Sequence, residues 1–254
     1  NMSQPSINKT PIVERPAWKL NGFIAILTAV VLLAASVLLA VRGIRLDAMI
    51  LLLPAVLLFG LACILLTGLV IVQPNMAAVI TFFGRYSGVL RENGIWLVIP
   101  FANSRKVSLR VRNFNSEKLK VNDTNGNPVE IAAVIVFRVV DAAKALLEVN
   151  HYEEFVEIQS ETSLRHVAAQ YPYDDFDQGG LALRSNADEV SLQLKRELQE
   201  RLDVAGLEIM EARLTHLAYA TEIASAMLQR QQAAAILAAR QIIVDGAVGM
   251  AQMA

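Results

Sequence analysis

Two long apolar runs without charge dominate the first third of the chain: FIAILTAVVLLAASVLLAV at residues 23–41 and AMILLLPAVLLFGLACILLTGLVIV at residues 48–72. A helix needs about 20 apolar residues to cross the hydrocarbon of a bilayer, so each run is long enough. A secretory signal core is shorter, about 7–15 residues, and no good cleavage site precedes a mature domain. The pattern predicts a membrane hairpin with only Arg42–Asp47 between its legs and both flanks on one side. Pro54 should kink the second leg, and a neighbouring helix can satisfy the carbonyl it frees. Because Pro54 and Gly60 interrupt that leg, a shallow hairpin entering and leaving one leaflet stays open beside the spanning one. Lys9, Arg15 and Lys19 precede the runs and Arg85 and Arg91 follow them closely. Lys and Arg are retained in the cytoplasm, so the flanks are expected there, although Arg42 and Arg45 in the turn count the other way.

Beyond Gln73-Pro74-Asn75 the periodicity changes, and residues 73–217 read as one α+β domain. Ala77–Phe83 is rich in strand formers and ends at Gly84; Ile95–Ile99 lies between Gly94 and Pro100. Lys106–Arg112 alternates, with Val107, Leu109 and Val111 on one face, as a half-buried strand does. Ser116–Asp123 and Val129–Val140 flank Asn125-Gly126, a tight-hairpin signal. The second of these strands is apolar on both faces, which predicts a central position in its sheet. Asp141 is placed to cap a short helix over Ala142–Glu148. A helix is expected over Tyr152–Ala169, burying Phe155, Ile158 and Leu164 and broken by Pro172. Another is expected over Asn186–Leu202, where Val190, Leu194 and Leu198 recur every four residues, Glu197 can pair with Arg201, and Gly206 supplies the stop. Leu207–Leu214 returns to strand character.

Residues 218–254 form a different kind of segment. From Thr221 there is no proline, few charges and much alanine, the best helix former, so helix is predicted through Val244. At 100° per residue, Ala224, Leu228, Ala235, Ala239, Ile242, Gly246 and Gly249 share one side. Leu237, Val244 and Ala251 make the opposite side apolar too, leaving a narrow stripe with Gln241, Asp245 and Gln252. A helix apolar nearly all round must be covered. It is either a third membrane span, against which Arg240 and Asp245 count because such charges are costly in lipid, or it packs among identical helices from other copies, the reading the charges favour. No helix stop signal precedes Ala254, so the helix is expected to continue.

Composition adds mostly exclusions. Hydrophobic residues make up 54% of the 254, and net charge is −1, which gives no reason to expect a nucleic-acid partner. The single cysteine, Cys63, lies inside an apolar run and cannot build a disulfide framework or a cysteine zinc site; a packing role is favoured over acylation. His151, His166 and His216 lack partners at zinc-ligand spacing, and structural roles are expected for them. Neither a phosphate-binding glycine loop nor a nucleophile elbow is present. Gly179-Gly180 reads as a turn, and Asp174, Asp175 and Asp177 as a solvated loop without calcium-loop spacing. No catalytic, cofactor-binding or metal-ligating residue is therefore assigned, and an enzyme is not expected.

Several stretches in fixed order resemble the SPFH or Band 7 family of stomatins, prohibitins and flotillins, best its bacterial stomatin-like branch. They are VIVQPN (Val70–Asn75), FFGRYSGVLRENGIWLVIPF (Phe82–Phe101), KVSLRVRNF (Lys106–Phe114), VNDTNGNPVEI (Val121–Ile131) and ARLTHLAYATEIASAMLQRQQAAAILAARQ (Ala212–Gln241), within a resemblance running from about Ile71 to Gln252. Two apolar runs before the domain depart from members with a single anchor. The resemblance implies a scaffold in the cell membrane, without catalysis, that forms large rings or cages. Its domain lies near the bilayer and its C-terminal helices stand side by side as a coiled-coil-like wall. The implied partners are membrane lipids, further copies of the chain, and a membrane protease or transporter as client. A small-oligomer modulator of a channel or transporter is the alternative. Three extended residues reach only about 10 Å, so Gln73-Pro74-Asn75 is expected to hold the domain close to the membrane. Phe82, Phe83, Trp96, Leu97 and Ile99 are the candidates for the headgroup layer, with domain core as the stronger reading for Phe82 and Leu97. Ala224, Leu228, Ala235, Ala239, Ile242, Gly246 and Gly249 are the candidates for the oligomer contact.

Overall fold

The computed structural model describes residues 13–46, 49–174 and 181–253. Lys9, the Asp47 end of the turn, Asp175 and Asp177 of the acidic loop, and the Gly179-Gly180 turn lie outside the described residues. The chain is α+β and divides into two compact units. One comprises the residues up to Val111 with Arg138–Tyr152 and Asp203–Glu208; the other comprises Arg112–Phe137, Glu153–Leu202 and the residues from Ile209 on.

The first unit opens with a short strand β1 (Leu20–Asn21), followed by helix α1 (Gly22–Arg45) and helix α2 (Leu52–Thr67). Asn21 caps α1 by accepting the Phe23 N–H on its side-chain oxygen at 3.0 Å. The buried residues of the hairpin are small: Ala25, Ala29, Ser36 and Gly43 on α1, beyond Gly22 at its foot, and Ala55 and Ala62 on α2. Their large side chains, such as Leu27, Leu38 and Leu57, point outward, the reverse of a water-soluble hairpin.

Strands β2 (Leu69–Val72), β3 (Met76–Phe82), β4 (Arg85–Leu90), β5 (Gly94–Leu97) and β6 (Asn103–Ser108) follow, and helix α3 (Ala142–Leu147) completes the unit. They form two small sheets, ordered β1-β5-β2 and β4-β3-β6. The second apolar run is therefore divided. Its helix ends at Thr67 with Gly68 as C-cap, and Leu69–Val72 pairs antiparallel with Ile95 and its neighbours. Val70, Ile71 and Val72 are as apolar as the helix before them, and the partner strand decides their conformation. Gln73-Pro74-Asn75 is consequently a turn between two strands, closed by the Met76 N–H donating to the Gln73 carbonyl, and not the joint between membrane and domain. The described residues just before Gly22 also belong to this unit: Pro16 bridges Val89, and Leu20–Asn21 joins the sheet. The strand expected over Lys106–Arg112 stops at Ser108, and Val111 is exposed.

The second unit is built on strands β7 (Arg112–Asn115), β8 (Leu119–Asn122), β9 (Pro128–Val139) and β10 (Leu207–Tyr219), with helices α4 (Tyr152–Gln170), α5 (Ala187–Leu202) and α6 (Ala224–Met253). The sheet order is β10-β9-β7, with β8 also on β9, so β9 is central, as its two apolar faces require. The Asn125-Gly126 hairpin joins β8 to β9, with Val121 opposite Val129 and Gly126 at φ 79. Buried Asp123 fastens it by accepting the N–H groups of Asn125, Asn127 and Tyr173. On α5, Val190, Leu194 and Leu198 are fully buried, worth about 1.5–3 kcal/mol each. On α4 the buried face is Val156, Ser160, Ser163, Leu164, Val167 and Ala168. Ile158, expected inside, is 53% exposed, because it lies two residues from Val156 and Ser160 and so faces the other way. The strand expected over Leu207–Leu214 runs on to Tyr219 and takes in His216.

Candidate membrane and assembly surfaces

Both feet of the helical hairpin rest on one strand. A Cβ at Gly22 would stand 2.5 Å from the Ile95 carbonyl oxygen, and one at Gly68 would stand 2.6 Å from that of Val98. The Val98 N–H also donates to the Gly68 carbonyl at 2.8 Å. Ile95 and Val98 are three residues apart, about 10 Å along a strand, which matches the 8–10 Å at which helices pack. The stretch from Ile95 in β5 to Val98 just past its end thus runs from one foot to the other, across the hairpin, and glycine is needed at both bearing points. Alternation does the rest. Val70, Val72, Trp96 and Val98 turn into the core with Ala17, Ala78, Ile80 and Leu90. Leu69, Ile71, Ile95 and Leu97 turn to the other face of the same sheet, the one that meets Gly22 and Gly68.

The strap before α1 is welded to this unit. Ala17 and Val89 are joined by a backbone hydrogen bond, and the Val89 N–H donates to the Arg15 carbonyl at 2.8 Å. Arg91 clasps both Glu14 carboxylate oxygens, through Nε at 2.5 Å and Nη2 at 2.7 Å. The hydrogen bond to Glu14 holds the Arg91 guanidinium above its usual range, and the Glu14 carboxylate also accepts the Ala142 N–H at the start of α3. Lys19 pairs with Glu92 and lies 4.5 Å above the Trp96 ring.

Of the headgroup candidates, Phe83 is 82% exposed, at a turn where its φ is 45°, and Phe82 beside it is half-buried with the rings edge to face. Ile99 is half-buried. Leu97 is buried under the foot of α2, and Trp96 packs on the core while its indole N–H donates to the Glu92 carbonyl at 3.0 Å. Phe101, absent from the candidates, is 63% exposed at φ 64. Its only sequence signal is its place after Pro100.

Helix α6 runs 30 residues without a buried one. Leu228, Ile236, Leu237, Ile242, Ile243 and Val244 are all exposed, and nothing stands within 4 Å of a Cβ added at Gly246 or Gly249. Ala224, Ala235 and Ala239 are exposed on the same helix. With α1 and the segment Met49–Thr67, α6 is one of three described helices long and apolar enough to cross a membrane. The turn leading into it and its early turns are tied by polar contacts in the second unit: Lys120 to Glu222 at 2.6 Å, and Gln231 to Asp174 at 3.1 Å.

Just before α6, Tyr219 stacks on Tyr173 with centroids 3.9 Å apart. Burial, with Asp174 and Asp123 nearby, pushes its phenol up to about 12 from 10.0. The unfolded chain gives up this proton first, so the contribution to stability is whole below pH 10 and declines as pH rises from 10 towards 12. Ultraviolet titration of phenolate should show one of the five tyrosines ionising last, and Tyr219→Phe should remove that step.

Two of the histidines lie beside carboxylates. His166 Nδ1 lies 2.8 Å from Glu197, which Arg201 holds at 2.9 Å as the i,i+4 spacing anticipates; His216 lies 3.9 Å from Glu130. Among the described residues no three His, Cys, Asp or Glu side chains are grouped to hold a metal ion.

Comparison with known proteins returns to the membrane. A stomatin homolog of Pyrococcus horikoshii is 28% identical over 180 residues, 70% of this chain and 65% of the relative. Stomatin-4 of Caenorhabditis elegans is 26% identical over 178 residues, 69% and 61% respectively. Mechanosensory protein 2 of the same worm is 23% identical over 178 residues, 69% and 36%. The chain thus spans less than two thirds of each of these relatives. The family model for the SPFH domain matches residues 70–246, which takes in β2 through most of α6, and the chain belongs to the SPFH domain / Band 7 family.

Proposed function

We propose that the protein is a membrane-anchored scaffold that assembles through α6 into a large ring or cage. Such an enclosure organises a patch of membrane and confines or regulates a membrane protease or another membrane protein within it. The observation that carries this reading is the bare surface of α6: 30 residues, none buried, apolar on nearly every side. Water does not tolerate such a surface, and Arg240 and Asp245 make lipid a poor cover. Other copies of the helix remain. Ala224, Leu228, Ala235, Ala239, Ile242, Gly246 and Gly249 would form the contact, the small alanines and glycines among them letting backbones approach.

The hairpin of α1 and α2 is the anchor, and residues 73–217 form the domain on the cytoplasmic side of the cell membrane. Direct bearing of both helix feet on residues 95–98 supports a fixed orientation, which lets neighbouring copies meet in one plane. Repeated head-to-tail contacts close into a ring when the rotation permits. The family membership favours scaffolding over catalysis.

A second reading, a small-oligomer modulator of a channel or transporter, is favoured by the relative that is named a mechanosensory protein. Lysine-reactive cross-linking in intact membranes separates the two. The scaffold gives a ladder that climbs far beyond the size of a few chains; a ladder that stops after a few chains, whatever the reagent concentration, belongs to the modulator.

A further inference from the structure

Charge is divided unevenly along the chain. Residues 1–111 carry ten Lys and Arg against three Asp and Glu, while residues 112–254 carry thirteen against twenty-one. The part that bears the hairpin and strands β1 to β6 is strongly basic, and the remainder strongly acidic, although the whole is nearly neutral. Two of the three acidic residues in the basic part, Glu14 and Glu92, are already engaged by Arg91 and Lys19.

The same part exposes two phenylalanines in a backbone conformation that bulky residues avoid. Phe83 has φ 45 and Phe101 φ 64, the left-handed region that costs any residue with a Cβ. Both side chains face outward, so neither the strain nor the exposure is repaid within the fold. They lie at one end of the β4-β3-β6 sheet, because Thr81 pairs with Asn103 and brings the Phe82–Arg85 turn beside the Ile99–Ala102 loop. That loop begins at the foot of α2: the Pro100 nitrogen would stand 3.5 Å from a Cβ on Gly68. Arg85 opens β4 opposite Phe82, and Arg105 lies on β6 opposite Val79. Both arginines are exposed.

Exposed aromatic side chains interleaved with guanidinium groups, at the base of a helix that enters lipid, match a bilayer surface: rings suit the acyl boundary and cations the headgroups. We infer that the Phe82–Arg85 turn and the Ile99–Ala102 loop, with Arg105, form a lipid-contact edge selective for anionic headgroups. Phe83 and Phe101 enter the boundary, and Arg85 and Arg105 pair with the negative charge. The inference rests on the reading of α1 and α2 as membrane legs. Charge complementarity and continuity with the foot of α2 favour the bilayer over a second copy as the occupant.

Nitroxide labels test it in the full chain carrying Cys63→Ala. Phe83→Cys, Phe101→Cys and, within α2, Leu57→Cys are labelled one at a time. The chain is reconstituted in phosphatidylcholine vesicles with and without phosphatidylglycerol, and collision with oxygen and with a water-soluble nickel chelate is read. The expected result is Leu57 in lipid throughout, and nickel access at positions 83 and 101 falling severalfold when phosphatidylglycerol is added. Arg85→Gln with Arg105→Gln should abolish that fall. Labels at 83 and 101 that ignore phosphatidylglycerol, at whatever depth, overturn the inference while Leu57 stays in lipid. Labels shielded from both reagents already in detergent assign the face to a second copy and overturn it as well. Nickel access at Leu57 would instead remove the membrane legs themselves.

Discussion

Replacing Ala235 or Gly246 by leucine is expected to break the assembly into small species while leaving membrane attachment intact. The chain on its own has no reason to object. Gly246 has nothing within 4 Å of an added Cβ, and Ala235 is exposed on α6. Leucine is the better helix former than glycine by close to 1 kcal/mol, so the isolated helix gains from Gly246→Leu. Any loss must come from another chain whose backbone lies close enough for a leucine to push it away. Overpacking of that kind costs about 1–3 kcal/mol per site, and in a ring it recurs at every contact. Size-exclusion chromatography of the solubilised variants reads the result, with circular dichroism to check that α6 is still helical. Variants that elute with the full-size particle would show that these positions are not in the contact.

Gly22→Val and Gly68→Val should unseat the hairpin. At both positions the added Cβ meets a backbone carbonyl at 2.5–2.6 Å, closer than Cβ atoms approach; Ile95 is held by its pairing with Ile71, and Val98 by its N–H bond to the Gly68 carbonyl. A cost of about 1–3 kcal/mol each is expected from forced repacking, which for a chain of this size lowers Tm by about 2–4 °C per kcal/mol. Gly60→Ala is the matched control. It lies in mid-helix with nothing within 4 Å, so removing a helix-weakening glycine should leave Tm unchanged or raise it slightly. Thermal unfolding in one detergent compares all three. If Gly22→Val and Gly68→Val unfold with the parent chain, the helix feet do not bear on residues 95–98.

How much of this was legible in the sequence depended on whether a pattern was local. Helix α1 is written in an unbroken apolar run, α5 in Val190, Leu194 and Leu198, and the β8–β9 hairpin in Asn125-Gly126, because each is decided by near neighbours. The bare apolar surface of α6 was equally readable, since a helix with no polar side hides nothing about its need for cover. Strand β2 was not readable. Leu69–Val72 continues the composition of α2, and only its partner β5, some twenty residues ahead, makes it a strand. The strap around Pro16–Asn21 failed for the same reason, as a two-residue strand leaves no periodicity to detect. Ile158 was misplaced by one step on its helix wheel, since α4 buries Ser160 and Ser163 and so blurs its apolar face. Phe101 shows the limit for the candidate surface: its composition matches that of buried Phe137, and only the turn at φ 64 turns it outward.

The decisive quantity is the mass of the purified full chain in mild detergent, measured by light scattering with the detergent contribution subtracted. A helix that finds shelter only beside its own kind requires a particle of many chains. A well-behaved single chain, its alanine-rich helix folded and open to solvent, would contradict the proposal at its root.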